Sequence, residues 1–254
     1  MKKVRGRGIQ SLETGLRIFS ALAESDGPIA LSILSKRVGM SPSQTHRYLA
    51  SLIIAGVVKQ NPATGLYDLD AGAMRLGLAA LTRLDIFAEA DAVFTEHAKS
   101  TGFTSLISVW GDAGPVIIRW YPGDPPVITS LYIGSTMPLL QSATGRIFFV
   151  FGNKTEVDPV ARRERKQRLS KTELEEMRDD IMRAHVSAIE STMIPGLRAV
   201  AAPIFDLQGH LALVGTSVVA AHAAGTTGVQ RMVATLEQAC RKVTEAIGGK
   251  WFKD

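Results

Sequence analysis

Residues 41–56, SPSQTHRYLASLIIAG, constrain the fold of the N-terminal region more than any other stretch of this chain. Ser41 is a preferred N-cap residue, and Pro42 suits the first helical position because the N–H it lacks would be unpaired there. Gly56 is typical of a residue that ends a helix. Apolar residues recur between these ends at helical spacing: Leu49, Leu52 and Ile53. The pattern predicts an amphipathic helix with well-marked ends.

Hydrogen-bonding side chains crowd the N-terminal half of this predicted helix. A helix that enters the major groove of DNA presents such side chains to base edges and phosphates. A capped surface helix with no partner is the alternative for this segment taken alone. The candidate DNA contacts are five residues of the helix and one lysine beyond it: Ser43, Gln44, Thr45, Arg47, Tyr48 and Lys59.

The flanking segments complete a small domain. Residues 12–23 predict an amphipathic helix, and residues 32–38 predict a short helix that leads into the capped one. Residues 57–60 and 66–69 are strand candidates, and the turn-forming sequence NPATG at 61–65 joins them. Three helices followed by a hairpin describe a winged helix-turn-helix.

The charge distribution supports this hypothesis. Residues 1–60 carry nine Lys or Arg and three acidic residues, a net charge of +6, whereas the whole chain carries +5. Neutralisation of DNA phosphates requires such a local cationic excess. The basic stretch from Lys2 to Arg7 is either an arm that touches the DNA backbone or a minor groove, or a solubilising terminus.

Composition limits the remaining classes. A length of 254 residues predicts one or two domains, and 46% hydrophobic residues suffice for ordinary cores. No apolar run reaches the ~18 residues needed to cross a bilayer, and no signal-peptide core follows the basic N-terminus. Cys240 is the single cysteine, which excludes an intrachain disulfide. We therefore expect a cytoplasmic protein without a membrane partner.

The apolar-rich stretch of residues 71–84 predicts a further helix, too apolar for a free linker. Such a helix either packs against another chain or joins two domains rigidly. We expect residues 1–70 to form the winged helix-turn-helix domain, residues 71–84 a linker helix, and residues 85–254 a second domain.

The second domain shows an α+β pattern, with an antiparallel sheet flanked by helices. The expected helices span residues 86–99, 143–151, 171–188 and an apolar-faced C-terminal segment from Val229 to Ile247. The expected strands span residues 105–110, 116–121, 127–133, 198–205 and 211–219, with tight turns at 111–114 and 206–209. The basic run from Arg162 to Arg168 is expected to be a solvated loop.

Residues 141–146, QSATGR, resemble the start of a helix, where unpaired backbone N–H groups and small side chains favour an anionic ligand. The alternative is an ordinary capped helix that packs on a sheet. Sheets with a covered face commonly hold small ligands. The candidate ligand-binding residues combine this segment with possible apolar walls: Leu106, Trp110, Met137, Leu140, Ser142, Ala143, Thr144, Gly145, Ala199, Ala201, Thr216 and Val218.

Three motifs in order resemble the IclR-type family of bacterial transcription regulators. The first is Pro42-Ser43-x-Thr45-x-Arg47-x-Leu49-x-x-Leu52-x-x-x-Gly56, continued by Gly65-x-Tyr67-x-Leu69 and Leu76-Gly77. The second is Gly134-x-x-x-Pro138-Leu139-x-x-Ser142-Ala143-x-Gly145-Arg146. The third is Gly196-Leu-Arg-Ala-Val-Ala-Ala-Pro203-Ile-Phe-Asp206 followed by Gly209. Together they cover nearly the whole chain.

The resemblance implies a winged-helix DNA-binding domain, a linker helix and a GAF-like effector domain. It implies an effector-controlled regulator that binds double-stranded operator DNA as a homodimer or tetramer. The effectors of this family are small metabolites, often carboxylic or aromatic acids. Three stretches depart from the usual pattern near the expected pocket: residues 184–186, residues 191–193 and Ala199. The effector of a characterised relative therefore does not carry over.

Enzyme chemistry is not expected. The chain has no Gly-x-Ser-x-Gly nucleophile elbow, no phosphate loop and no His-Glu-x-x-His zinc helix. Its five histidines are scattered without ligand spacing, so we expect no metal, no cofactor and no catalytic residue. The alternative function is a GAF-like small-molecule-binding or catalytic protein that uses its N-terminal domain only for dimerisation. The +6 charge of residues 1–60 argues against that alternative.

Overall fold

The computed structural model describes residues 8–81, 85–165, 170–190, 195–221 and 226–251. The chain divides into two compact units, residues 1–84 and 85–254. None of the helices in the described ranges is both long and apolar enough to cross a membrane. The basic stretch from Lys2 to Arg7 and the predicted boundary residues 82–84 lie outside the described residues.

The first unit contains three helices, a hairpin and a fourth helix. Their bounds are α1 Gln10–Ala23, α2 Leu31–Val38, α3 Pro42–Ile54, β1 Val58–Gln60, β2 Tyr67–Leu69 and α4 Ala71–Leu81. The first three helices pack against one another in pairs, and β1 and β2 pair antiparallel. Gly39 turns the chain from α2 to α3 in a left-handed conformation, with φ of +69°. The predicted winged helix-turn-helix is confirmed.

The core of the first unit is assembled from all three helices and the hairpin. Its fully buried members include Ile18, Leu22, Leu34, Leu49, Val58 and Tyr67. Ile18 and Leu22 lie one turn apart on α1, so that they present one face inward. On α3 the buried positions are Thr45 and Leu49, and Ile53 is 37% exposed. The inward face of α3 is therefore rotated slightly from the one that the apolar spacing predicts.

The second unit contains five strands and five helices within the described ranges. Their bounds are α5 Ile86–Thr101, β3 Thr104–Gly111, β4 Gly114–Tyr121, α6 Ala143–Phe151, α7 Lys154–Arg165, α8 Lys171–Ala184, β5 Ser187–Glu190, β6 Leu197–Phe205, β7 Leu211–Ala220 and α9 Thr226–Ala246. The sheet order is β4-β3-β7-β6-β5, and every neighbouring pair is antiparallel. The predicted α+β class is confirmed.

Helices cover both faces of this sheet. On one face α5 and α9 bury a cluster that includes Phe94, Ile204 and Cys240. On the other face α6, α7 and α8 bury a second cluster that includes Ile147 and Val214. Successive residues of a strand point to opposite faces. The central strand β7 therefore sends alternate side chains into two different layers.

Three local expectations for the second unit are wrong. Residues 127–133 form no strand. The segment that follows them is joined to β4 by the bridge Val116–Thr136 and by the Gly134 N–H, which donates to the Ile117 carbonyl at 2.7 Å. The predicted solvated loop from Arg162 is instead part of the helix α7 as far as residue 165. The rest of that basic run, residues 166–168, lies outside the described part of the chain. Helix α8 ends at Ala184 because His185 turns left-handed, with φ of +55°. Residues 187–190 then pair with β6 as β5.

Candidate nucleic-acid interface and ligand pocket

The N-terminal end of α3 is exposed and capped. The Ser41 hydroxyl accepts the backbone N–H of Gln44 at 3.3 Å, which fixes where the helix begins. Ser43, Gln44 and Arg47 are exposed on the first two turns. The sequence-predicted side chains therefore form a polar surface at the end of α3 that a groove-binding helix uses for contact.

Thr45 does not belong to this surface. Its side chain is fully buried, and its hydroxyl donates to the Ser41 carbonyl at 3.1 Å. Thr45 and Leu49 share the inward face of α3, which explains why the prediction of a DNA contact at Thr45 is wrong. Tyr48 is half-buried against the core of this unit. Only its outer part is available to a partner.

His46 is a residue of this surface that the sequence argument missed. Its Nδ1 lies 3.0 Å from the hydroxyl of Tyr67, a buried residue of β2. Burial also raises the pKa of Tyr67. The contact joins α3 to the hairpin across 21 positions of sequence. No local pattern could have indicated it.

The hairpin places a further cation beside α3. Lys59 is exposed on β1. The turn after it is ordered by the Asn61 side chain, whose oxygen accepts the N–H groups of Ala63 at 2.9 Å and Thr64 at 3.2 Å. Gly65 closes the turn in a left-handed conformation, with φ of +70°. The turn therefore has a defined shape without apolar contacts of its own.

The second unit contains a small, largely apolar cavity between the sheet and the start of α6. Its lining comes from the sheet, α6 and two loops: Leu106, Leu131, Met137, Ser142, Ala143, Thr144, Ile189, Leu197, Ala199, Thr216 and Val218. Larger cavities, such as one of about 330 Å³ between α5 and α9, are more open, and charged residues such as Glu96 and Lys242 contribute to the lining of that one. The enclosed site has a cavity volume of about 30 Å³. Ligand sites usually measure about 300–1,000 Å³, so this cavity would have to expand to hold a small molecule.

The lining is apolar apart from hydroxyl groups. Thr144 on α6 and Thr216 on β7 approach each other, with their hydroxyl oxygens 2.8 Å apart. None of the described residues that line the cavity is charged. Ser142 caps α6, because its hydroxyl accepts the Gly145 N–H at 2.8 Å. The same hydroxyl donates to the Pro138 carbonyl at 2.6 Å, so its hydrogen is already committed.

Four sequence-predicted residues do not line this cavity. Trp110 packs against Phe148, with ring centroids 5.6 Å apart, and Leu140 and Ala201 are buried in the cluster under α6. A Cβ at Gly145 would collide with the carbonyl oxygens of Pro138 and Leu139. Gly145 therefore allows a loop to pack closely on α6, and it does not line this cavity.

Three lining residues were missed by the sequence argument. Leu131 comes from the irregular segment that was expected to be a strand, and Ile189 comes from the unpredicted β5. Leu197 begins β6, one residue before the expected strand. Each was missed because its element was assigned wrongly or too short.

A winged helix-turn-helix joined to an α+β unit with an enclosed pocket defines a class of DNA-binding regulators. Residues 11–62 match the IclR helix-turn-helix domain, and residues 78–245 match the C-terminal domain of the bacterial transcriptional regulator IclR. The chain belongs to the IclR family of bacterial transcriptional regulators. Members of this family are regulators of transcription, not enzymes.

Relatives agree over most of the chain. The DNA-binding transcriptional repressor YiaJ of Escherichia coli (strain K12) is 28% identical in an alignment 264 positions long. The alignment covers 97% of this chain and 91% of the relative. The glycerol operon regulatory protein of Streptomyces coelicolor is 30% identical over 79% of this chain and 80% of its own length. The crystal structure of Pseudomonas aeruginosa HmgR superposes with a TM-score of 0.84 at 30% identity, covering 96% of this chain and all of HmgR.

Proposed function

We propose that this regulator binds operator DNA through α3 and the β1–β2 hairpin, and that a small carboxylic acid in the enclosed pocket controls this binding. The observation that carries the DNA part is the exposure of Ser43, Gln44 and Arg47 at the capped end of α3. Lys59 supplies phosphate contact from the hairpin, and the outer part of Tyr48 adds to the surface. Cytoplasmic residence follows from this role.

The α6 N-terminus supports a carboxylate as the ligand's polar group. The first-turn N–H groups of Ala143 and Thr144 have no acceptor within an α-helix, and they carry partial positive charge. The Thr144–Thr216 hydroxyl pair adds a hydrogen-bond donor at the same place. Leu106, Leu131 and the other apolar lining residues suit an aliphatic or aromatic body. Trp110 was expected from the sequence as a wall of the pocket, but it does not line the cavity and gives no support for an aromatic ligand.

The proposed mode of DNA binding requires a symmetric assembly of at least two copies of the chain. A homodimer, or a tetramer built from two dimers, would place two copies of α3 about one DNA turn apart and read a roughly palindromic operator. The ligand would change the population of DNA-competent arrangements by binding one of them more tightly.

Arg47→Ala tests the DNA part. The operator is first selected from random duplexes with the wild-type protein, and affinity is then measured by fluorescence anisotropy at several salt concentrations. We expect a loss of roughly tenfold or more, and a salt slope shallower by about one unit, because one cationic contact is removed. Lys99→Ala, which removes an exposed cation from α5, is the matched control. Unchanged operator affinity in Arg47→Ala would contradict the assigned surface.

Ala199→Phe tests the ligand part by filling the cavity. We expect short aliphatic and aromatic acids to raise the unfolding temperature of the wild-type protein, since a ligand that binds only the folded state stabilises it. The same acids should have no effect on Ala199→Phe. Ala188→Phe adds the same side chain at an exposed position of β5 and should respond like the wild type. An equal response to matched neutral amides would overturn the carboxylate assignment.

A further inference from the structure

Glu164 reaches out of α7 to hold a loop that the sequence places 24 residues earlier. One carboxylate oxygen accepts the Leu139 N–H at 2.8 Å, and the other accepts the Leu140 N–H at 2.9 Å. The side chain is half-buried, and both leucines are buried. A carboxylate that accepts two consecutive backbone N–H groups makes charge-assisted bonds in a fixed geometry. This contact therefore fixes the loop.

The same loop is held from its other side by α6. The Arg146 side chain donates through Nε to the Leu140 carbonyl at 3.0 Å. The Arg146 side chain is half-buried, and this burial lowers its pKa. Leu140 thus has its N–H bound by an acid of α7 and its carbonyl bound by a base of α6. The peptide groups on either side of Leu140 have little freedom to shift.

The held leucines lie between two residues of the pocket wall. Met137 precedes them and Ser142 follows them, and both line the cavity. Ser142 is also tied to the Pro138 carbonyl by its hydroxyl. A displacement of the Leu139–Leu140 backbone would therefore move the Met137 side chain and the start of α6 together.

Leu131 belongs to a less buried part of the lining. Leu131 enters the cavity from an irregular segment whose neighbours Ile128 and Tyr132 are 94% and 70% exposed. A cavity of about 30 Å³ must expand when a ligand enters. We expect the expansion on the half-buried Leu131 side. The Met137 side is held by the Met137 N–H, which donates to the Pro115 carbonyl at 2.7 Å, and by the double contact of Glu164 with the residues that follow.

We propose that Glu164 is a positioning residue of the ligand pocket, which holds the Met137–Ser142 wall so that the ligand meets the α6 N-terminus in a set geometry. This inference rests on the proposed ligand function of the cavity. Glu164 does not itself line the cavity. Because it fixes the loop that does, α7 would influence ligand specificity indirectly.

Glu164→Gln tests the proposal, because the amide keeps the side-chain size but turns one acceptor into a donor that faces a backbone N–H. Glu156→Gln makes the same change at an exposed position of α7 and is the matched control. The full-length proteins are titrated with benzoate by calorimetry. Amide exchange at Leu139 and Leu140 and the NMR signal of the Met137 methyl group are recorded without ligand. Glu164→Asp, whose shorter side chain withdraws the carboxylate from the two N–H groups, replaces Glu164→Gln if that variant fails to fold.

For Glu164→Gln we expect benzoate to bind at least fivefold more weakly, the two amides to exchange at least tenfold faster, and the Met137 methyl signal to shift. Glu156→Gln should match the wild type in all three. Faster exchange with unchanged benzoate affinity would overturn the positioning role and leave only a structural tie. If neither benzoate nor the short aliphatic acids bind the wild type, the proposed acid effector fails. The Met137 signal then decides separately whether Glu164 sets the pocket wall, and an unshifted signal would refute it.

Discussion

Burial of the His97 side chain determines its pKa and therefore its charge. His97 lies on α5 with 6% exposure, and its Nε2 is 3.0 Å from the Ser217 hydroxyl. Ser217 in turn lies 3.2 Å from Ser105, so three polar groups share the apolar layer under α5. Desolvation lowers the pKa of His97 to about 4. The imidazole is therefore neutral in the folded protein at ordinary pH.

The pH dependence of stability follows from His97 with a definite sign. In the unfolded chain the pKa of His97 is near 6.5. Between pH 6.5 and 4 the unfolded state therefore binds more protons than the folded state. As a result, the free energy of unfolding falls as the pH is lowered. At about 1.4 kcal/mol per pKa unit, the loss is on the order of 3 kcal/mol at pH 4. Urea unfolding of the wild type and His97→Gln at pH 7, 5.5 and 4 measures it. The difference in unfolding free energy between the two proteins should shrink by about this amount; parallel curves would refute the assignment.

At the residue scale, the sequence predicted helix caps, which depend on nearby residues. It did not predict which side chains of a helix face the core or which residues meet across the fold. The caps at Ser41 and Ser142 depend on the next three residues, and both are present. The inward position of Thr45 depends on the rotation of α3 about its own axis against α1 and α2. The spacing of apolar residues predicts this rotation only to about one residue. The His46–Tyr67 contact joins residues 21 apart and has no local signature.

The start of α6 is the element on which the proposed ligand site depends. Ser142 is 3% exposed and forms two hydrogen bonds, one to the helix and one to the preceding loop. We expect Ser142→Ala to lower the unfolding free energy by about 2 kcal/mol, because a typical N-cap contributes ~1 and the Pro138 carbonyl is left unpaired. Ser170→Ala removes an exposed cap of α8 and should lower it by only about 1 kcal/mol. Urea unfolding followed by tryptophan fluorescence compares them, and equal losses would contradict the tie to the loop.

At the element scale, strands and helices with strong local patterns were predicted and three others were not. Residues 127–133 are rich in β-branched and aromatic side chains, but the Val127 N–H turns toward the Thr104 side chain at 3.4 Å. Helix α7 contains Pro159 and many charges, which hide its amphipathic face. Strand β5 has only four residues, and its strand conformation depends on pairing with β6. Tertiary pairing decides such short segments.

At the scale of the whole molecule, charge and motif order predicted the two-part organisation. The +6 charge of residues 1–60 lies within the unit that carries α3. The pocket could be predicted only in part, because it draws side chains from β3, β5, β6, β7, α6 and two loops. Eight of its lining residues were candidates from sequence, and the rest depended on elements that tertiary structure defines.

Separate hydrophobic cores in the two units predict separate unfolding. The core around Ile18, Leu34 and Leu49 lies wholly within residues 1–84. Leu49→Ala should destabilise that unit by about 2–5 kcal/mol, since it removes a fully buried side chain and leaves a cavity. The second unit keeps its own cores under α5 and α9 and under α6.

The tryptophans allow the two units to be followed independently, because Trp110, Trp120 and Trp251 all lie beyond residue 84. In urea, Leu49→Ala should shift the early part of the transition seen by circular dichroism at 222 nm and leave the fluorescence transition in place. Leu213→Ala, which opens the core under α5 and α9, should shift the fluorescence transition instead. If Leu49→Ala moves the fluorescence midpoint as far as the dichroism midpoint, the units unfold as one cooperative body, and ligand binding in the second unit would then stabilise the DNA-binding unit directly.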